Sequence, residues 1–158
     1  MELIITIGCF QILKLVGLGG TFDHLHEGHK LLLRTALSVS EHIEVGLTSQ
    51  TLLENKEYYS KLEDYETRKK NLIGFVSSFS DPKRTNIVEI KNWNEMSGYA
   101  QKPDYEGLVV SQETYDNALK LNKERENIGL KPLILIVIPL IKDEANIKIS
   151  STSIRGSL

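Results

Sequence analysis

Apolar and polar positions along the chain fall into two alternating periods. Residues 13–18, Leu-Lys-Leu-Val-Gly-Leu, read as a strand, and residues 30–37, Lys-Leu-Leu-Leu-Arg-Thr-Ala-Leu, read as a helix. Residues 41–48 make a second strand and residues 85–90 alternate as a further one. Between them, residues 49–64 are polar and predicted to begin with a short helix at 51–54, while 65–79 read as a helix with Leu72, Val76 and Phe79 on one face. Residues 92–106 mix Gly, Pro and polar side chains and are predicted to be mostly loop. Residues 107–111 form a short buried strand, followed by a helix at 114–128 that Gly129 stops. Residues 133–138 are uniformly apolar, as a central parallel strand covered on both faces should be, and 146–149 read as one more short strand. Strand and helix in alternation predict an α/β protein with an open parallel sheet and helices on both faces. Residues 13–158 form a single domain, with no repeat or interdomain linker.

Composition narrows the function classes. With 158 residues, 41% hydrophobic and 25% charged, the chain is an ordinary globular one. A net charge of −2 and a pI near 6.1 argue against a nucleic-acid or anionic-membrane surface. The single cysteine, Cys9, cannot close an internal disulfide, which fits a reducing cytoplasm, and it cannot anchor a thiolate metal site alone. Residues 1–12 are an apolar N-terminal extension too short to span a bilayer. They lack the basic start and cleavage pattern of a signal peptide, which leaves an extra edge strand or an ill-chosen start codon.

Candidate chemistry sits between the first strand and the first helix, in Gly19-Gly20-Thr21-Phe22-Asp23-His24-Leu25-His26-Glu27-Gly28-His29. A strand, a glycine turn and a helix N-terminus present backbone N–H groups to a phosphate, and Gly19 and Gly20 let the main chain approach it closely. His26 and His29, three apart at the helix start, lie on one face. A second segment, Ser150-Ser151-Thr152-Ser153-Ile154-Arg155, places hydroxyls at a strand-to-helix junction, with Arg155 a turn further on. In a parallel sheet, ligands bind beyond the C-terminal ends of the strands, where the glycine motif, Thr48-Ser49, Ser111 and Ser150 all fall.

Gly-Thr-Phe-Asp-x-x-His-x-Gly-His together with Ile-Ser-Ser-Thr-x-Ile-Arg resembles the nucleotidyltransferase superfamily with the (H/T)xGH signature. Within it the chain is similar to the archaeal-type phosphopantetheine adenylyltransferases, through Leu52-Leu53-Glu54-Asn55-Lys56, Tyr65-Glu66-Thr67-Arg68 and Val109-Val110-Ser111-Gln112-Glu113-Thr114-Tyr115. The resemblance implies a Rossmann-like sheet of about five strands. It also implies transfer of AMP from ATP to 4′-phosphopantetheine by direct in-line attack, with Mg²⁺ bound through ATP oxygens and water and no metal held by the protein. By the same resemblance, His29 bonds the α-phosphate and His26 the phosphate chain. Thr21 positions the attacking phosphate and Lys56 neutralises both reacting groups. Ser150, Ser151 and Thr152 cradle the β- and γ-phosphates with Arg155 nearby, Ser111, Glu113 and Thr114 lie near the adenosine, Arg125 reaches the nucleotide, and Arg68 binds phosphopantetheine. Bacterial relatives form hexamers, so a homo-oligomer is one state open to this branch.

Plainer readings stand beside these. Three of the four histidines fall within 24–29, yet the spacing straddles a turn and no cysteine supplements it, so phosphate is favoured over zinc. Lys56 beside Glu54 and Glu57 reads as a solvated lysine without the resemblance, Arg68 pairs with Asp64 at helical spacing, and Arg125 sits on a charged face. Ser150 and Ser151 fit a helix cap, His24 a loop residue, and Asp23 a structural turn residue rather than a base. Rival functions with the same fold are nicotinamide mononucleotide adenylyltransferase, FAD synthetase, glycerol-3-phosphate cytidylyltransferase and a non-catalytic nucleotide sensor. The late motif lacks the Arg-Thr-x-Gly-Ile-Ser form usual in cytidylyltransferases, and a pure sensor would not need both histidines.

Overall fold

The computed structural model describes residues 12–139. Five parallel strands form one sheet in the order β3-β2-β1-β4-β5, with β1 at Leu13–Gly20, β2 at Ser40–Thr48, β3 at Thr85–Ile90, β4 at Gly107–Ser111 and β5 at Ile134–Ile138. The helices are α1 at Glu27–Val39, α2 at Tyr65–Ser77, α3 at Trp93–Ala100 and α4 at Tyr115–Asn127. The chain winds outward from β1 through β2 to β3, then returns to place β4 on the other side of β1. That reversal leaves a crevice above the C-terminal ends of β1 and β4, where open α/β sheets bind ligands.

The two faces of the sheet differ because successive strand residues point to opposite sides. Val16 and Leu18 of β1 join Ile43, Val45 and Leu47 of β2 under Leu33, Ala36 and Leu37 of α1 and Leu72 and Val76 of α2. Each such side chain, when fully buried, stabilises the fold by roughly 1.5–3 kcal/mol. On the opposite face the alternate positions are Gly17, Gly19 and Gly46, and these small residues leave space between α3 and α4. Arg84 fixes the turn out of α1 by donating to the carbonyls of Leu37, Ser40 and Glu41.

Three expectations need correction. Residues 93–100 are helical rather than loop: Asn92 caps the helix by accepting the Glu95 N–H at Oδ1, and Glu95 Oε2 accepts the Lys91 N–H just before it. Among the described residues β5 is an edge strand rather than a central one, and it exposes Ile134 and Val137. Phe79 lies beyond the end of α2 and is exposed, its ring tilted against Phe75 and lying under the Arg34 guanidinium instead of joining the core. The expected strand at 146–149, the hydroxyl cluster and the extension over 1–11 lie outside the described residues.

Gly17 tests the packing of the open face. A Cβ there would stand 2.6 Å from the Tyr105 ring, whose hydroxyl is tied to Glu44 by the hydrogen bond it donates. Gly17→Ala is predicted to lower stability by about 1–3 kcal/mol in urea unfolding. An unchanged midpoint would show that the ring is free to move.

Candidate active site

The turn after β1 is built from unusual backbone. Phe22 and His24 both adopt left-handed φ values, 51° and 44°, which side-chain-bearing residues normally avoid. Phe22 is held there by burial of its ring. Asp23 is also fully buried and accepts the Glu63 N–H at 2.8 Å. His24 donates its backbone N–H to Glu63 Oε2 at 2.9 Å and its ring Nε2 bonds the Lys61 carbonyl at 2.8 Å. Asp23 and His24 thus tie the turn to the segment at 61–63, in agreement with their reading as turn residues.

This turn delivers His26 to the N-cap of α1. His26 Nδ1 accepts the Gly28 N–H at 3.1 Å, and His29 Nδ1 accepts the His26 N–H at 3.3 Å, a capping box made of two imidazoles. The rings stack with centroids 3.8 Å apart, and His29 also leans on Phe22 at 5.2 Å. The cap explains the glycine between the histidines, since a Cβ on Gly28 would come within 2.9 Å of the His26 ring. Because each Nδ1 is an acceptor, each neutral ring carries its proton on Nε2. Burial, then the neighbouring His26, pull the His29 pKa from 6.5 to about 3. The structure therefore brings together two stacked rings, and His29 is an uncharged Nε2–H donor at neutral pH.

Thr21 stands on the other side of the turn. Its Oγ1 accepts from Lys56 Nζ at 3.2 Å and from the Thr48 hydroxyl at 3.3 Å. With both lone pairs occupied, the Thr21 hydroxyl has only its own hydrogen to offer a ligand. Lys56, on the exposed segment between β2 and α2, is drawn to the same place, so the sheet ends and this segment assemble Thr21, Thr48 and Lys56. Extending the β1–β4 register, Val16 opposite Gly107, brings Ser111 level with Gly20. Ser111 N–H donates to Thr114 Oγ1 at 3.1 Å, closing the turn into α4 beside the exposed Glu113.

Arg68 and Arg125 are both buried, and both direct their guanidinium groups at protein carbonyls. Arg68 lies under the site and donates to the carbonyls of Thr21, Thr48 and Glu63. Arg125 stands elsewhere than the nucleotide site expected for it. It donates to Lys102, Tyr105 and Lys131, which precede β4 and β5 and lie at the opposite end of the sheet from Gly20 and Ser111. Ser150, Ser151, Thr152 and Arg155 lie outside the described residues.

Beside Gly19 a groove of about 400 Å³ runs between α3 and α4, with Ile90, Trp93, Tyr105, Asn117 and Leu121 among its walls. Little in the residues points to it, because the wall at Trp93 sits in the stretch expected to be loop. The signal lay in the small residues 17, 19 and 46, spaced along two strands on one face. A wider depression of about 730 Å³ lies by α1 and α2, lined by His24, Lys30 and Phe75, and is open to solvent. It contains neither Thr21 nor His29.

Residues 18–157 match the cytidylyltransferase-like family. The chain is 45% identical to the phosphopantetheine adenylyltransferase of Pyrococcus abyssi over 146 residues, 92% of this chain and 90% of that protein. It is 46% identical to the enzyme of the same name from Thermococcus gammatolerans, over 90% of this chain and 88% of that protein. A solved structure of a protein of unknown function from Archaeoglobus fulgidus is similar with a TM-score of 0.66 and 31% identity, covering 85% of this chain and 98% of that one.

The His29 environment has a pH consequence. The folded protein keeps this ring neutral down to about pH 3, whereas the unfolded chain protonates it near 6.5. Between those values the unfolded state binds more protons, so stability falls as the pH drops, by up to about 1.4 kcal/mol per pH unit from this group. Urea unfolding at pH 7 and pH 5 should show a larger loss for the wild type than for His29→Asn. Equal losses would remove His29 as the cause.

Proposed function

Because the chain belongs to the cytidylyltransferase-like family, we propose that it moves the AMP part of ATP onto 4′-phosphopantetheine, giving dephospho-coenzyme A and pyrophosphate in coenzyme A synthesis. The observation that carries this reading is the meeting of Lys56 Nζ and Thr21 Oγ1 at 3.2 Å, on the turn that presents the two histidines. Those groups suit the union of two anions. An oxygen of the acceptor phosphate attacks the α-phosphorus of ATP, the bond from that phosphorus to the bridging oxygen breaks, and pyrophosphate leaves. The nucleophile is already ionised, so no strong base is required. Positioning and stabilisation of charge remain for the protein to supply.

His29 Nε2–H donates to the α-phosphate, where charge rearranges, and His26 assists along the phosphate chain. Thr21 donates its hydroxyl hydrogen to the attacking phosphate while the Lys56 ammonium offsets the charge of both groups. Gly19 and Gly20 admit the phosphates against the main chain, and Ser111, Glu113 and Thr114 flank the adenosine. In this reading Ser150, Ser151 and Thr152 cradle the β- and γ-phosphates, with Arg155 nearby. The described site offers N–H and O–H donors, and its residues hold no group of three or more His, Cys, Asp or Glu suited to a cation. In this reading ATP oxygens and water would hold Mg²⁺, which would lower the charge of the triphosphate.

The groove beside Gly19 suits the neutral arm of the acceptor, being lined largely by apolar side chains. No helix among the described residues is long and apolar enough to cross a membrane. We place the enzyme in the cytoplasm, where its lone cysteine fits.

The direct test mixes the protein with ATP, Mg²⁺ and 4′-phosphopantetheine and follows pyrophosphate, with nicotinamide mononucleotide, FMN, and glycerol 3-phosphate plus CTP in parallel. Release with phosphopantetheine alone is the expected result; release only with another acceptor overturns the substrate, and silence with all favours a nucleotide sensor. His29→Ala should cut kcat by about 10²–10³-fold while ATP binding stays within about tenfold. Lost binding with unchanged turnover would refute that role. Lys56→Ala is expected to lower kcat by about 10²-fold, and near-normal turnover would make it a surface lysine.

A further inference from the structure

Arg68 lies on α2, is fully buried, and none of its described hydrogen bonds points to a ligand. One nitrogen, Nη1, donates to both the Thr21 and Thr48 carbonyls at 2.9 Å, the residues at the C-terminal ends of β1 and β2. Nε donates to the Glu63 carbonyl at 3.1 Å, and Nη2 to Gln50 Oε1 at 3.3 Å. Gln50 and Glu63 bracket the segment that carries Lys56. A single planar group therefore joins the residue that meets the attacking phosphate to both ends of the segment supplying the cation. Glu63 is tied in turn to Asp23 of the glycine turn at 2.8 Å.

We propose that Arg68 is a positioning residue: its fork sets the distance between Thr21 and Lys56, and so the place where the two phosphates meet. This rests on the adenylyl-transfer reading. A lysine cannot substitute, because an ammonium is a point donor and cannot reach acceptors spread around a guanidinium plane. A buried charge is a poor way merely to fill space, since a hydrophobic side chain of similar volume often packs as well or better. Arg68 thereby acts through Thr21 and Lys56 without touching substrate.

The test compares wild type, Arg68→Lys, Lys56→Ala and the double variant, with pyrophosphate release as one readout. Hydrogen exchange of the substrate-free proteins is the other. Arg68→Lys should keep cooperative unfolding and a KM for ATP within about threefold, while kcat falls by about 30-fold or more. In the double variant kcat should lie within about threefold of the weaker single variant, because both changes remove one arrangement. Backbone exchange over 50–63 should quicken, with α1 unchanged. Unchanged kcat, multiplicative effects in the double variant, or unaltered exchange over 50–63 would each overturn the proposal.

Should Arg68→Lys not fold, Gln50→Leu removes one of the acceptors from a partly exposed position. It should lower kcat by about 3–10-fold with KM unchanged; no effect on kcat or exchange would overturn the proposal. A wild type inactive with phosphopantetheine would refute the substrate reading alone, because the exchange measurement contains no substrate and still judges Arg68.

Discussion

Between Gly20 and His26 the chain must leave a buried strand, reverse, and enter a helix with its first imidazole already at the cap. It does so only by holding Phe22 and His24 in left-handed backbone, a strain of about 1–2 kcal/mol for each residue. Burial of Phe22 and Asp23 and the bonds from this turn to Lys61 and Glu63 keep the conformation in place. The turn sets where His26 caps α1, where Thr21 presents its hydroxyl, and where the 61–63 segment is anchored. Distortion there would disturb all three together.

The second constraint is electrical. A phosphate site could have been built from charged histidines, but the cap uses each Nδ1 as an acceptor, and burial keeps His29 neutral. Its Nε2–H then sits at the positive end of a helix dipole, which favours an anion without placing an imidazolium in the turn. Exposed positive charge comes from Lys56, while the Arg68 guanidinium is engaged by carbonyls beneath the site. The described site thus divides into a neutral part at the capped turn and a charged part on an exposed segment. That division fits a reaction whose reactants are both anions and whose leaving group must depart.

Much of this was legible in the residues. The parallel sheet followed from alternating periods, and the glycine–histidine turn from its place between a strand and a helix. α3 was missed because Gly98 and Pro103 outweighed a local signal, the Asn92 side chain capping the Glu95 N–H. β5 was placed centrally because an apolar run reports burial but not strand order, and order depends on long-range pairing. Arg68 and Arg125 stand in similar charged surroundings in sequence, yet one lies under the site and the other at the far end of the sheet. Only the fold separates them, because each is defined by carbonyls distant along the chain.

The central claim is that the turn offers phosphate two neutral imidazoles with their protons on Nε2. Two-dimensional ¹⁵N NMR of the histidine rings at pH 7 measures this directly, with and without ATP and Mg²⁺. The account predicts Nε2–H tautomers for both His26 and His29 in the free protein, and a change at His29 Nε2 when nucleotide binds. Protons on Nδ1, imidazolium signals at neutral pH, or a His29 resonance indifferent to saturating ATP would contradict it.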